Sequence, residues 1–163
     1  MYKIIISAFL MFFATTVYLQ ANTKSYSFVG VDTSLSLYDN IVAPSFGIKY
    51  GKQADMYRTT IQFTHAQNGQ NKLETLIMEV DHGIKTSLFS SSEIQPYMGL
   101  NYGFLLHNND KNDKGYLYGL TAGISYILNH SMDLNLATQL LKTSKMNDVN
   151  SLSNISLSLH YFY

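Results

Sequence analysis

The chain has 163 residues and a formal net charge of zero, and only 13% of its residues are charged. Its mean hydropathy of -0.04 is too high for a disordered chain. The balanced charge provides no basic surface for nucleic acid. Because the chain has no Cys, it can form no disulfide, thiolate metal site, Cys nucleophile or lipid anchor on Cys. These figures indicate one Tyr-rich domain with few charges.

The first segment has the three parts of a secretory signal peptide. Lys3 gives a positive start, residues 4–17 are uncharged, and Ala21 is a small residue before a polar stretch. The apolar run over residues 4–17 has 14 residues, whereas a helix needs about 20 apolar residues to cross a bilayer. We therefore expect cleavage after Ala21, with residues 1–21 as the signal peptide and residues 22–163 as a domain that acts beyond the cytoplasmic membrane.

After Ala21 the apolar residues recur at every second position, which predicts strands rather than helices. Eight stretches follow this alternation: 26–37, 45–51, 56–65, 73–84, 96–104, 115–127, 132–140 and 152–163. Asn and Asp are frequent between the later stretches and suit turns. The sequence therefore predicts an all-β domain built from eight antiparallel strands.

Each predicted strand has an apolar face and a face of small or polar residues. In a soluble barrel or sandwich the apolar face would form the core. In a transmembrane barrel it would meet lipid, and the other face would fill the lumen. The second face is rich in Gly and Ser, and the charged fraction of the chain is about half that of a typical soluble domain. Small residues suit the narrow interior of an eight-stranded barrel. We therefore predict an up-and-down transmembrane β-barrel.

The tyrosines fall mostly near the ends of the predicted strands. Amphipathic rings at such positions are typical of the aromatic girdles that mark the two membrane interfaces. The tyrosines concerned are Tyr26, Tyr38, Tyr50, Tyr57, Tyr97, Tyr116, Tyr118, Tyr126, Tyr161 and Tyr163.

A small set of charged residues falls on the predicted lumen face: Asp32, Lys49, Arg58, Glu79, Asp81 and Asp133. An unpaired charge in a confined interior is costly, so we expect these residues to pair with one another as a structural network. The functional alternative is a narrow path for ions or protons.

The sequence offers little for catalysis or metal binding. Asn129, His130 and Ser131 place a base beside a hydroxyl, but adjacent residues in a tight turn do not form a nucleophile and base pair. His65, His82, His107 and His160 are scattered, and no Cys completes a metal site. We therefore expect no enzymatic activity, no cofactor and no metal.

Three segments, residues 95–103 (QPYMGLNYG), 119–139 and 155–163 (ISLSLHYFY), resemble a known family. It comprises the small eight-stranded outer-membrane barrels, such as the OmpA transmembrane domain, OmpX and the neisserial opacity proteins. The resemblance implies the outer membrane of a Gram-negative bacterium, with both termini in the periplasm. It also implies that the loops near 38–44, 66–72, 106–114 and 142–151 face outward.

The terminal strand resembles the signal that such proteins present to the barrel assembly machinery. Its residues are Leu157, Leu159, Tyr161 and Tyr163, with Tyr where the family usually ends in Phe. The other expected partners are outer-membrane lipid, lipopolysaccharide and a host or surface ligand at the outer loops. We thus predict a structural or surface-interaction role. The alternatives are a soluble periplasmic barrel that binds a lipid-like ligand and a barrel enzyme acting on lipid A.

Overall fold

The computed structural model describes residues 25–38, 41–69, 71–84, 93–108, 112–146 and 149–163. The predicted signal peptide lies outside these residues. Eight strands follow in chain order: β1 Ser25–Tyr38, β2 Ile41–Ala54, β3 Tyr57–Asn68, β4 Asn71–Gly83, β5 Ile94–Asn108, β6 Asn112–Asn129, β7 Met132–Ser144 and β8 Ser151–Phe162. No helix in these ranges is long and apolar enough to cross a membrane.

The strands form a closed barrel in which each strand pairs with its neighbours in sequence. Every pair is antiparallel, and β1 closes the barrel against β8 from Phe28 opposite Phe162 to Tyr38 opposite Leu152. Closure leaves no unpaired strand edge, which a chain surrounded by lipid requires. The predicted eight-stranded antiparallel barrel is confirmed.

The two ends of the barrel differ. At the terminal end, β1 begins and β8 ends, and the turn at Asp55–Met56 joins β2 to β3. At the loop end, residues 39–40, 69–70, 109–111 and 145–150 connect the strands. The predicted loops at 38–44, 66–72, 106–114 and 142–151 were therefore too long. Backbone hydrogen bonds between neighbouring strands do not depend on side-chain type. The strands therefore extend beyond the last residues that show a clear alternation of apolar and polar side chains, into the predicted loops.

Side chains alternate between exposed apolar groups outside and buried groups inside. Val31 is 49% exposed whereas Asp32 is 1% exposed, and Leu136 is 54% exposed whereas Asn135 is 1% exposed. The predicted assignment of the two faces is thus observed along the barrel, with Val80 as an exception on the outer face, at 4% exposed.

Two predicted girdle tyrosines lie inside the barrel instead. Tyr38 is 1% and Tyr97 is 8% exposed, and the Tyr97 hydroxyl donates to Asn135 Oδ1 at 2.9 Å. Both residues share the strand parity of the interior side chains, and this parity overrides their position near a strand end. Other tyrosines are exposed on the outer face as predicted: Tyr50, Tyr118, Tyr126, Tyr161 and Tyr163. Tyr26 is exposed as well, at the start of β1, although it shares the strand parity of the buried Phe28.

Glycines permit close approach of neighbouring backbones in the wall around β6. A Cβ atom at Gly119 would overlap the carbonyl oxygen of Leu140 on β7, and one at Gly103 would overlap that of Leu76 on β4. A side chain at either position would force these strands apart, so the glycine face of the sequence reflects the tight curvature of a small barrel.

Candidate functional site

The barrel lumen is the candidate site, because buried polar and charged side chains are concentrated there. The terminal half contains an ionic cluster centred on Asp133 of β7. Arg58 Nη2, from β3, lies 2.7 Å from Asp133 Oδ2. His160 Nδ1, from β8, lies 2.7 Å from Asp133 Oδ1. Ser125 Oγ, from β6, donates to Asp133 Oδ2 at 3.0 Å. Four strands thus meet at one carboxylate.

Arg58 has further partners that hold its guanidinium in place. Its Nε and Nη2 donate to Gln53 Oε1 at 3.0 and 2.7 Å. The guanidinium carbon also lies 5.3 Å from the ring centroid of Phe28 and 5.8 Å from that of Phe162. Planar stacking and several N–H donors suit Arg to such a site better than Lys.

A second ion pair lies deeper in the lumen. Lys49 Nζ of β2 is 3.2 Å from Asp32 Oδ1 of β1, and both side chains are almost fully buried. Ser158 of β8 joins them, because its Oγ donates to Asp32 Oδ1 at 2.7 Å and accepts from Lys49 Nζ at 2.9 Å. This cluster links β2, β1 and β8, and it therefore spans the strand pair that closes the barrel.

Glu79 and Asp81 of β4 are each 4% exposed and make no ion pair among the described residues. Glu79 Oε2 accepts from Gln139 Nε2 at 2.8 Å. With the Asn101 amide oriented so that both of its polar atoms are satisfied, its nitrogen donates to Glu79 Oε2 at 3.1 Å. Among the residues that the structure describes, Asp81 Oδ1 has no hydrogen-bond partner. Of the six predicted lumen charges, the structure pairs Arg58 with Asp133 and Lys49 with Asp32. Glu79 and Asp81 form no ion pair with a described cation.

The loop-end half of the lumen holds an apolar plug that the sequence analysis missed. Its members share the interior face and are at most 2% exposed: Tyr38, Ala43, Ala66, Leu73, Ile77, Leu105, Leu117, Leu141, Val149 and Leu152. His107 packs against the Tyr38 ring at 5.8 Å between centroids. The sequence does contain a signal for this plug. Near the loop end of several strands, leucines occupy positions on the face that otherwise carries small and polar residues.

The remaining sequence candidates do not converge on a reactive site. His65 pairs with Glu74 at 3.4 Å, and His82 packs on the Tyr57 ring at 4.5 Å. In the turn at 129–131, Asn129 Oδ1 accepts from the Ser131 backbone N–H at 2.9 Å, and His130 is exposed. This bond accounts for Asn129 as a turn residue. The described residues hold no cluster of His, Cys, Asp and Glu suited to a metal.

The predicted assembly residues lie on the outer face of β8 and just beyond its end. Leu157, Tyr161 and Tyr163 are 44%, 52% and 63% exposed, and Leu159 is half-buried. The backbone of Tyr163 donates to the carbonyl of Ser27 at 2.9 Å, which ties the chain end to β1.

No protein-family model matches the sequence, and no curated protein matches it. Solved structures do match. The neisserial surface protein A has 16% identity and a TM-score of 0.67, with 85% of this chain and 97% of that chain covered. OprH from Pseudomonas aeruginosa has 18% identity and a TM-score of 0.65, with 85% and 99% covered. The chain has the fold of the small outer-membrane β-barrels.

This fold is shared by an enzyme as well. The outer membrane enzyme PagL matches with 8% identity and a TM-score of 0.52, over 81% of this chain and 98% of that chain. Similarity of fold therefore does not separate a structural barrel from a catalytic one, and the choice depends on the side chains of this chain.

Proposed function

We propose that the chain is an integral outer-membrane protein with a structural or surface-interaction role, without enzymatic activity, and with both termini in the periplasm. The observation that carries the proposal is the inverted distribution of polarity. Large apolar residues cover the outside, among them Phe46, Ile155 and Leu140 at 58 to 61% exposed, while ion pairs fill the terminal half of the lumen. Lipid is the solvent that such an exterior requires.

The soluble lipid-binding barrel is the weaker alternative. Such a protein needs an apolar interior cavity that can hold a ligand. Here the terminal half of the lumen contains Arg58, Asp133, Lys49 and Asp32, and the apolar loop-end half is packed by the plug residues defined above. The described interior therefore favours a membrane barrel.

The enzymatic alternative also lacks support from the side chains. The Asp133–His160 pair is buried in the lumen, and its carboxylate is already engaged by Arg58 and Ser125. A catalytic base needs a nucleophile within hydrogen-bond reach. His160 Nε2 has no hydrogen-bond partner in the described part of the chain, so a structural role in closing β8 against β7 is the simpler interpretation.

A gel assay on native membranes tests the proposed function. We expect the mature chain to be extracted only by detergent and to migrate differently on SDS gels before and after boiling, because a closed barrel resists SDS until it is heated. Full solubility in buffer, together with migration that boiling does not change, would show that the membrane assignment is wrong.

We further propose that Leu157, Leu159, Tyr161 and Tyr163 form the signal for the barrel assembly machinery. Replacing Tyr161 and Tyr163 by Asn should lower the amount of chain assembled in the outer membrane, with little effect on refolding into detergent micelles. Tyr26→Asn is the matched control, since Tyr26 is an exposed tyrosine on β1 at the same end. Equal loss in all variants, or none in the Tyr161 and Tyr163 variant, would refute this role.

A further inference from the structure

His107 is a buried histidine at the loop end of β5. The residue is 4% exposed, and neither of its ring nitrogens has a hydrogen-bond partner among the described residues. Buried polar atoms without a partner are rare in folded proteins. A neutral imidazole can occupy such a site at a modest cost, but a protonated one cannot, because an unpaired charge costs far more to bury. The closed lumen therefore holds His107 in its neutral form.

The surroundings of His107 belong to the apolar plug. Its ring packs edge-on against the ring of Tyr38 on β1, at 5.8 Å between centroids and with an interplanar angle of 72°. Leu73 lies directly opposite His107 on β4, and Leu105 is two residues away on the same face of β5. Tyr38, Leu73 and Leu105 are all plug residues. His107 thus places an imidazole against the plug, where a positive charge would be poorly solvated.

A carboxylate lies across the strand ladder from His107. Asp113 of β6 is the direct cross-strand partner of His107, and both residues are on the inner face. The Cβ atoms of such a pair are about 4.5 to 5.5 Å apart. Asp113 is only half-buried, and its carboxylate forms no ion pair with His107 in this structure. Rotation of the His107 side chain from Tyr38 toward Asp113 would give a protonated ring a counter-ion close to water.

We propose that protonation of His107 opens the apolar plug. The charged ring leaves Tyr38, pairs with Asp113, and admits water to the loop-end half of the lumen. The open state binds one proton more than the closed state, so the open fraction increases as the pH falls through the range in which imidazoles titrate. For a single proton the increase is at most about tenfold per pH unit. The switch requires a closed barrel but no membrane, so it goes beyond the proposed function and does not depend on it.

Among the described residues, the titratable groups that face His107 are Tyr38 on β1 and Asp113 on β6. The other residues of the apolar plug carry no ionisable group. Lys72 and Lys114 are near His107 in the strand register, but both are exposed on the outer face. Phenols and carboxyls ordinarily titrate outside the range of imidazoles. A change in charge between about pH 7 and about pH 5 therefore belongs to His107.

A thiol placed in the plug reports its opening, because the chain has no Cys of its own. Ala66 is 1% exposed and lies directly opposite Leu73 in the β3–β4 register, so Ala66→Cys is the reporter variant. The probe is dithiodipyridine, which reacts with thiols at acidic pH. Each rate is divided by that of the same variant unfolded in urea at the same pH. In neutral detergent micelles we expect the normalised rate to rise about tenfold from about pH 7.5 to about pH 5.

Three further variants in the Ala66→Cys background identify the titrating group. His107→Phe keeps an aromatic ring in the plug and should leave the rate low at both pH values. Asp113→Asn removes the counter-ion and should make the rise smaller. The matched control is His65→Gln, which removes a histidine at the same end of the barrel but on the outer face, and it should leave the rise unchanged.

A rise that persists in His107→Phe would overturn the proposal, as would no rise in the reporter variant itself. Ala137→Cys places the thiol at a buried lumen position outside the plug and should react at the same normalised rate at both pH values. An equal rise there would mean that acid loosens the whole barrel, and it would also overturn the proposal. Every variant is first checked for the shift on boiling. If Ala66→Cys fails to fold, Ala43→Cys, at a plug position that is 0% exposed, replaces it.

Discussion

Replacing Arg58 by Met is expected to destabilise the folded barrel by about 3 to 5 kcal/mol. The side chains of Arg58 and Asp133 are 11% and 5% exposed, and their closest charged atoms are 2.7 Å apart. Without the guanidinium, the Asp133 carboxylate stays buried with only His160 and Ser125 as partners. Because the chain has no Trp, the folded fraction in urea is best followed by the gel mobility of unboiled samples.

Two further variants show whether a buried pair causes the effect. Lys52→Met removes an exposed cation and should change the free energy of unfolding by less than about 0.5 kcal/mol. The double variant Arg58→Met/Asp133→Leu removes both charges and should recover much of the loss, since the penalty comes from the partner left behind. A double variant as unstable as Arg58→Met would instead implicate the packing of Arg58 on Phe28 and Phe162.

The sequence allowed the face of most side chains to be predicted, because strand parity is local information. Asp32, Lys49 and Asp133 were assigned to the lumen from alternation alone, and each is at most 7% exposed. Parity needs no knowledge of which strands are neighbours. The same reasoning assigned Leu136 and Ile155 to the outer face, where they are 54% and 61% exposed.

The partners of those side chains could not be predicted, because they depend on the tilt and stagger of the closed barrel. Arg58 and Asp133 come from β3 and β7, which are not adjacent strands, and they meet only across the lumen. Lys49 and Asp32 lie on adjacent strands, yet their shared partner Ser158 is on β8. Alternation specifies that a residue points inward and leaves its height in the lumen undetermined.

The apolar plug was missed for a related reason. Period two separates an apolar face from a polar one, but it does not anticipate that the inner face itself changes from polar to apolar along the barrel. Leu105 and Leu117 are on this inner face and are 1% and 0% exposed. Tyr38 belongs to the same plug. It was predicted to lie in the aromatic girdle because it is a tyrosine near a strand end. A membrane barrel can thus keep a small apolar core within its lumen.

The lipid-facing assignment of the outer surface has its sharpest test at Leu136. This residue is 54% exposed near the centre of β7, and its interior neighbours Asn135 and Ala137 are buried. Leu136→Arg is expected to cost about 2 to 4 kcal/mol in lipid vesicles, the range for Arg at the bilayer midplane of a barrel. The measurement is the urea dependence of the folded fraction in neutral vesicles.

Leu128→Arg is the matched control for depth. Leu128 is 48% exposed in the register shift near the end of β6, next to the turn at the terminal end. Arg there can reach the interface and should cost only about 0 to 1 kcal/mol. The difference between the two variants isolates burial in hydrocarbon, since the chemical change is the same. If both variants were as stable as wild type, Leu136 would face water. The assignment of the apolar outer face to lipid would then be wrong.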